Sequence, residues 1–134
     1  MARAHYSGMG AVPARIETEL TGAVIGAALE VSNVLGAGFL EKVYERAIAA
    51  ELRLRGIEVE TQSRFPVWYK GDLVGDFSPD LVVAGELIVE LKCADRLANQ
   101  HMSQCLNYLR ASSFRLALLF NFQHPKLEWK RLIL

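Results

Sequence analysis

The hydrophobic period changes abruptly at Gly56, and that change constrains the fold more than any other feature of the chain. Before it, Ile16, Leu20, Val24, Ala27, Val31 and Val34 recur at spacings of three and four. This predicts an amphipathic helix from Ala14, with Pro13 suited to its first turn and Gly36 and Gly38 as its stop. Leu40, Val43, Ala47, Ala50 and Leu54 repeat the spacing and predict the buried stripe of a second helix, capped by Gly56 in the left-handed region. Beyond Gly56 a period of two takes over. Ile57–Gln62, Arg64–Lys70, Leu73–Phe77, Asp80–Val83 and Leu87–Cys93 read as strands, with turn chemistry at Gly71-Asp72 and at Ala84-Gly85-Glu86. Helical spacing returns over Arg96–Ala111, and Arg115–Phe122 and Leu127–Leu134 read as closing strands. The order predicts an α/β domain. No internal repeat or linker divides it, so residues 14–134 are expected as one domain behind a flexible lead at 1–13, which lacks periodicity.

The chain has 134 residues, with 15 Lys and Arg against 15 Asp and Glu and hence no net charge. A domain that holds nucleic acid by bulk electrostatics usually carries a clear basic excess, so the total argues against that mode. The distribution along the chain tells more. Residues 57–95 carry eight acidic and three basic side chains, and residues 96–134 carry one acidic and six basic. An acidic middle followed by a basic end is compatible with a cation site beside a phosphate-contacting surface, although a scattered solvated exterior gives the same sums and is the commoner cause. The longest stretch without charge, Leu97 to Leu109, is too short and too polar to span a bilayer, and the N-terminus lacks the apolar core of a secretory signal. A cytoplasmic protein with no membrane partner is expected. Cys93 and Cys105 match neither a disulfide framework nor a CxxC metal site, and read as reduced core residues.

The anomaly lies in Leu87-Ile88-Val89-Glu90-Leu91-Lys92-Cys93. Strand alternation puts Glu90 and Lys92 on one face, roughly 6.6 Å apart along the strand. Burying either ion unpaired costs several kcal/mol, so an apolar strand keeps them only at a solvated edge or for a use. The preceding strand favours a use. Asp80 opens it, and the Ala84-Gly85-Glu86 turn folds it against the Glu90 strand as a hairpin, so the two carboxylates can converge. Adjacent carboxylates repel unless a cation lies between them, and hard oxygen ligands suit Mg²⁺ or Mn²⁺. With Lys92 beside them to stabilise a phosphate or orient a water, the parts suffice for metal-assisted phosphodiester hydrolysis.

Pro79-Asp80, a short spacer and Glu90-Leu91-Lys92 resemble the signature of the PD-(D/E)XK nuclease superfamily, which implies an αβββαβ core with a mixed central sheet flanked by helices. Gly38-Phe39-Leu40-Glu41-Lys42-Val43-Tyr44 is similar to the motif of the GxxExxY group within it, and Gln104-Cys105-Leu106-Asn107-Tyr108 and Leu119-Phe120-Asn121-Phe122 also resemble that group. The resemblance implies that Asp80, Glu90 and the Leu91 carbonyl hold the metal, that Lys92 is the catalytic lysine, and that Glu41 adds a helical carboxylate to the site. It implies that Gln104 and Tyr108 face the site, which their spacing of four on one helix also allows. Ser78 departs from the group, where an aromatic-Arg pair is expected before Pro79-Asp80. Tyr44 reads as a core or supporting residue holding Glu41, and His101 as a polar residue satisfied within its helix. Trp68, Tyr69 and Trp129 read as packing rather than base-stacking groups.

The expected function is therefore a divalent-metal-dependent nuclease acting on DNA rather than RNA. The alternative is a non-catalytic nucleic-acid or protein interaction module that keeps the nuclease fold. A chain this short holds little beyond a catalytic core, so a homodimer or an accessory recognition subunit is expected to help choose the target.

Overall fold

Two apolar faces on one central sheet organise the molecule. A computed structural model describes residues 19–134, so the expected lead at 1–13 and the start of the first helix, with Pro13, lie outside the described residues. The elements run α1 (Thr21–Leu35), α2 (Glu41–Leu54), β1 (Val59–Thr61), β2 (Phe65–Tyr69), β3 (Asp72–Phe77), β4 (Leu81–Val83), β5 (Leu87–Lys92), α3 (Asn99–Ala111), β6 (Leu116–Asn121) and β7 (Glu128–Ile133). Five strands form a sheet in the order β1-β4-β5-β6-β7. β5 and β6 are parallel and the other neighbours antiparallel, so the sheet is mixed, as expected of the fold.

Alternation along β5 decides which layer each side chain joins. Leu87, Val89 and Leu91 pack with Leu116, Leu118 and Phe120 of β6 against α1 and α2. Ile88 points the other way and packs with Val82, Ala117 and Leu119 against Cys105 and Leu109 of α3. Each such fully buried aliphatic side chain contributes ~1.5–3 kcal/mol, so the register of β5 is strongly held: a slip of one residue would exchange its two faces. That register carries Glu90 onto the α3 side.

Several expectations need correction. β2 and β3 leave the main sheet and pair only with each other. Their turn is Lys70-Gly71 rather than Gly71-Asp72, since these two residues have positive φ of 47° and 90° and Tyr69 pairs with Asp72. Trp68 and Tyr69, expected to pack, are 61% and 60% exposed because the hairpin projects beyond the helix it rests on. The buried face of α2 is Tyr44, Glu45, Ile48, Ala49 and Leu52, not the stripe from Leu40 to Leu54, whose two end residues are more than four-fifths exposed. Both stripes satisfy helical spacing, and packing against the sheet selected the other one. On α3, by contrast, Cys105 shares the buried face with Leu109, as expected of a core residue. The Glu90 strand is the centre of the sheet, so a solvated edge does not explain its charges.

Candidate active site

β4 and β5 bring the two carboxylates together by running their hairpin one step past the strand ladder. Leu81 pairs with Val89, which places Asp80 opposite Glu90. There the backbone ladder gives way to side chains: the Asp80 N–H donates to Glu90 Oε2 at 2.7 Å, and the Leu91 N–H donates to Asp80 Oδ2 at 2.8 Å. The Leu91 amide and carbonyl point to the same edge of β5, the one that β4 has vacated, so that carbonyl faces the carboxylates. The turn that sets this register is Ala84-Gly85, both with positive φ. Gly85 adopts that conformation without a Cβ penalty.

The electrostatics are severe. Glu90 is 4% exposed, and burial first, then the charge of Asp80, push its carboxyl up to about 8 against the bond from the Asp80 amide and the charge of Lys92. Asp80 is raised too, by burial and by the charges of Glu45 and Glu41, while the Leu91 amide and Lys92 pull the other way. On α3, burial and the same two carboxylates raise the Tyr108 phenol, and burial pushes the Cys105 thiol up to about 12. Behind burial, the two carboxylates thus bear on Tyr108 and Cys105 of α3 as well.

Lys92 leaves the strand on the Glu90 face, and its Nζ donates to Gln104 Oε1 at 3.3 Å. Tyr108, one turn further along α3, stacks on Phe77 at 4.5 Å. Gln104 and Tyr108 therefore share the helix face that looks toward the carboxylates. Glu41 arrives from the opposite layer: its Oε2 accepts the Cys93 N–H at 3.2 Å, just past the end of β5. Neither hydrogen bond of the Tyr44 hydroxyl goes to Glu41. Its hydroxyl donates to the Gly36 carbonyl at 2.7 Å and accepts the Phe39 N–H at 3.1 Å, while its ring stacks on Phe122. It fixes the corner from which α2 departs, and so positions Glu41 through the backbone.

A cleft of about 710 Å³ opens between that corner and the sheet, lined by Glu41, Lys42, Glu45, Asp80, Cys93 and Gln123 together with Gly38, Phe39 and Leu40. Glu45 was not anticipated. It is 8% exposed and accepts two bonds from Lys42 Nζ at 3.1 and 3.2 Å. The signal was available, because Glu41 and Glu45 are four residues apart and so share a helix face. Cys93, expected in the core, is only half-buried and borders this cleft. Asn121 of the Leu119-Phe120-Asn121-Phe122 motif takes a role that its residue type alone does not signal. It is buried, and it accepts from the Ala94 and Gln123 amides while donating to the Ala94 carbonyl and to Glu128, which in turn receives the Leu97 amide. These bonds hold the segment that leaves β5.

Two other residues singled out in the sequence have structural tasks. His101 Nδ1 accepts the Ala98 N–H at 3.0 Å and so closes the start of α3. Ser78, where an Arg was expected, donates to the Ser63 carbonyl at 2.7 Å and ties the base of the β2–β3 hairpin. Lys130 and Arg131 are consecutive on β7 and point to opposite faces, so the basic end of the chain is not one patch.

Among the described residues, no group of three or more His, Cys, Asp or Glu side chains forms a ready-made metal cage. The pair itself still suits a hard cation. The bonds at Asp80 and Glu90 occupy one oxygen of each carboxylate, and the other oxygens accept none of the hydrogen bonds found among the described residues. A buried and a half-buried carboxylate with lone pairs to spare, beside a strand carbonyl, match the needs of an ion that keeps several of its own waters.

A mixed sheet between helices, with an acidic residue opening one strand and Glu-x-Lys on its hairpin partner, defines an α/β protein of the nuclease-fold class. The chain belongs to the PD-(D/E)XK nuclease superfamily, whose family model matches residues 18–132. No curated protein and no solved structure matches it. Among the described residues no helix is long and apolar enough to cross a membrane.

Proposed function

We propose that this protein is a divalent-metal-dependent nuclease of the GxxExxY type that hydrolyses phosphodiester bonds, in DNA rather than RNA. The observation that carries the proposal is the reciprocal clamp of Asp80 and Glu90, a half-buried carboxylate on a fully buried one, which an ordinary core would exclude. Asp80, Glu90 and the Leu91 carbonyl would hold Mg²⁺ or Mn²⁺, with Glu41 contributing from the cleft side. Such an ion supplies Lewis acidity and a more acidic bound water. The chain does the rest. The amides of Asp80 and Leu91 aim the two carboxylates, so little reorganisation is needed when charge develops. Lys92, held by Gln104, keeps a fixed positive charge beside the pair for a phosphate oxygen or an attacking water. Tyr108 and the buried Cys105 exclude solvent from the α3 side, which strengthens every charge interaction within.

Cleavage of single-stranded, duplex and branched DNA and of RNA with Mg²⁺ or Mn²⁺ tests this directly, with Asp80→Ala and Lys92→Ala as controls. Losing ~4 kcal/mol of transition-state stabilisation slows the reaction by about a thousandfold. Cleavage that survives both substitutions refutes the assignment. Binding gives a second readout: added metal is expected to tighten nucleic-acid binding by Lys92→Ala, because it neutralises the acidic centre.

A further inference from the structure

The face of α2 turned away from the sheet carries a second apolar stripe between charged flanks, although the helix already buries Tyr44, Ile48, Ala49 and Leu52 on its inner side. Leu40, Val43, Ala47, Ala50 and Leu54 follow one another in alternating steps of three and four, the spacing of a coiled-coil seam. Leu40 is 81% and Leu54 82% exposed, and Val34 beside them on α1 is 70% exposed. Val34, Leu35, Ala47, Ala50 and Leu54 line a shallow groove of about 210 Å³ between the two helices. So much aligned apolar surface on a small domain marks an interaction site.

The charges that border the seam decide what fits it. Glu30 and Glu51 stand on the α1 side of the groove. Arg46 and Arg53, each one residue before a seam position and a heptad apart, are exposed on the other side. A surface that is acidic on one flank and basic on the other complements itself under a two-fold rotation about an axis along α2. Under a rotation about an axis across α2 it repels itself. Only the first sets Arg46 of one copy over Glu51 of the other, at the five-residue offset that flanking charges take in parallel coiled coils. Glu51 is already held in place by Arg55 at 2.8 Å.

We infer that the occupant is a second copy of this chain, and that the protein is a homodimer joined through the outer faces of α1 and α2 with the two α2 helices parallel. Ala47 and Ala50 let the helices approach closely at the middle of the seam, while Leu40, Leu54 and Val34 fill its ends. Leu40 also borders the cleft beside Asp80. Parallel helices therefore bring both clefts to the same end of the dimer, an arrangement that could engage two strands of one duplex. The interface itself does not rest on the nuclease reading.

Light scattering during size exclusion of the full chain tests it. The wild type is expected to elute as a dimer, and Leu54→Glu, which sets a charge in the seam at an exposed position, to halve the mass with an unchanged circular dichroism spectrum. Ala50→Cys, on the seam where parallel helices set like residues face to face, is expected to form a disulfide-linked dimer on oxidation, while the wild type with Cys93 and Cys105 is not. A wild type that stays monomeric overturns the inference, including one that dimerises only after residues 1–18 are removed. So does a dimer that persists in Leu54→Glu, or an Ala50→Cys chain that fails to link.

Discussion

Replacing Glu90 by Gln keeps the size of the side chain and an oxygen to accept the Asp80 amide, and exchanges the ionisable oxygen for an uncharged amide nitrogen. In the metal-free protein Glu90 titrates near 8 instead of near its ordinary 4.5. At ~1.4 kcal/mol per pH unit, that difference amounts to a destabilisation on the order of 3–5 kcal/mol once the group ionises. A native-state pKa raised above the unfolded value means that the folded chain holds the proton more tightly. Stability from this group is therefore complete below about 4.5, falls as pH rises, and is lost once pH passes about 8. Glu90→Gln has no proton to lose and should not follow this decline. Urea unfolding with a chelator present, at about pH 5 and about pH 9, should show the variant gaining on the wild type by several kcal/mol at the higher pH. A domain of this size has a total stability of ~5–15 kcal/mol, so the crossover is large enough to measure. Mn²⁺ should restore the wild type at high pH by ~2.7 kcal/mol at a hundredfold excess over its dissociation constant and leave the variant much less affected. A gap between wild type and variant that is the same at both pH values refutes the reasoning, because it would mean that Glu90 is not desolvated against Asp80.

Other perturbations test other parts of the site. Tyr44→Phe removes the hydroxyl that joins the Gly36 carbonyl to the Phe39 amide, and should cost ~1–2 kcal/mol in urea unfolding and reduce turnover by displacing Glu41. Unchanged turnover would separate the corner from the chemistry. Asn121→Ala strips the partners from the Ala94 peptide and from Glu128, and is expected to destabilise by about 3 kcal/mol and to speed hydrogen exchange at Ala94 and Leu97. Protection that stays at wild-type levels there would count against its holding role. A thiol reagent applied to the native protein should label Cys93 at the cleft and spare Cys105, which is fully buried with its thiol pushed up to about 12. Rapid labelling of both would mean that α3 opens readily.

Much of this protein was legible in its residue order. Periodicity located the helices and most strands, because a buried face must recur at the period of its element. Asp80, Glu90 and Lys92 stood out because charge inside an apolar strand is costly wherever that strand lies. The meeting of the two carboxylates followed from one hairpin turn. Contacts between elements distant in sequence were less accessible. Glu41 and Cys93 meet across 52 positions, and Asn121 and Ala94 across 27. No local pattern encodes such pairs, since they exist only after the layers have packed.

The two faces of α2 draw the boundary most clearly. By itself the sequence determined that α2 is a helix, that β4 and β5 form a hairpin, and that Asp80 and Glu90 face each other, because each depends on spacing within one or two neighbouring elements. Only the tertiary structure decided which of the helix's two apolar stripes meets the sheet, that β5 lies at its centre, and that Glu45 joins Asp80 in the cleft. Helical spacing admits either stripe equally, and the choice is made by the volume and shape of the sheet surface against which the helix packs.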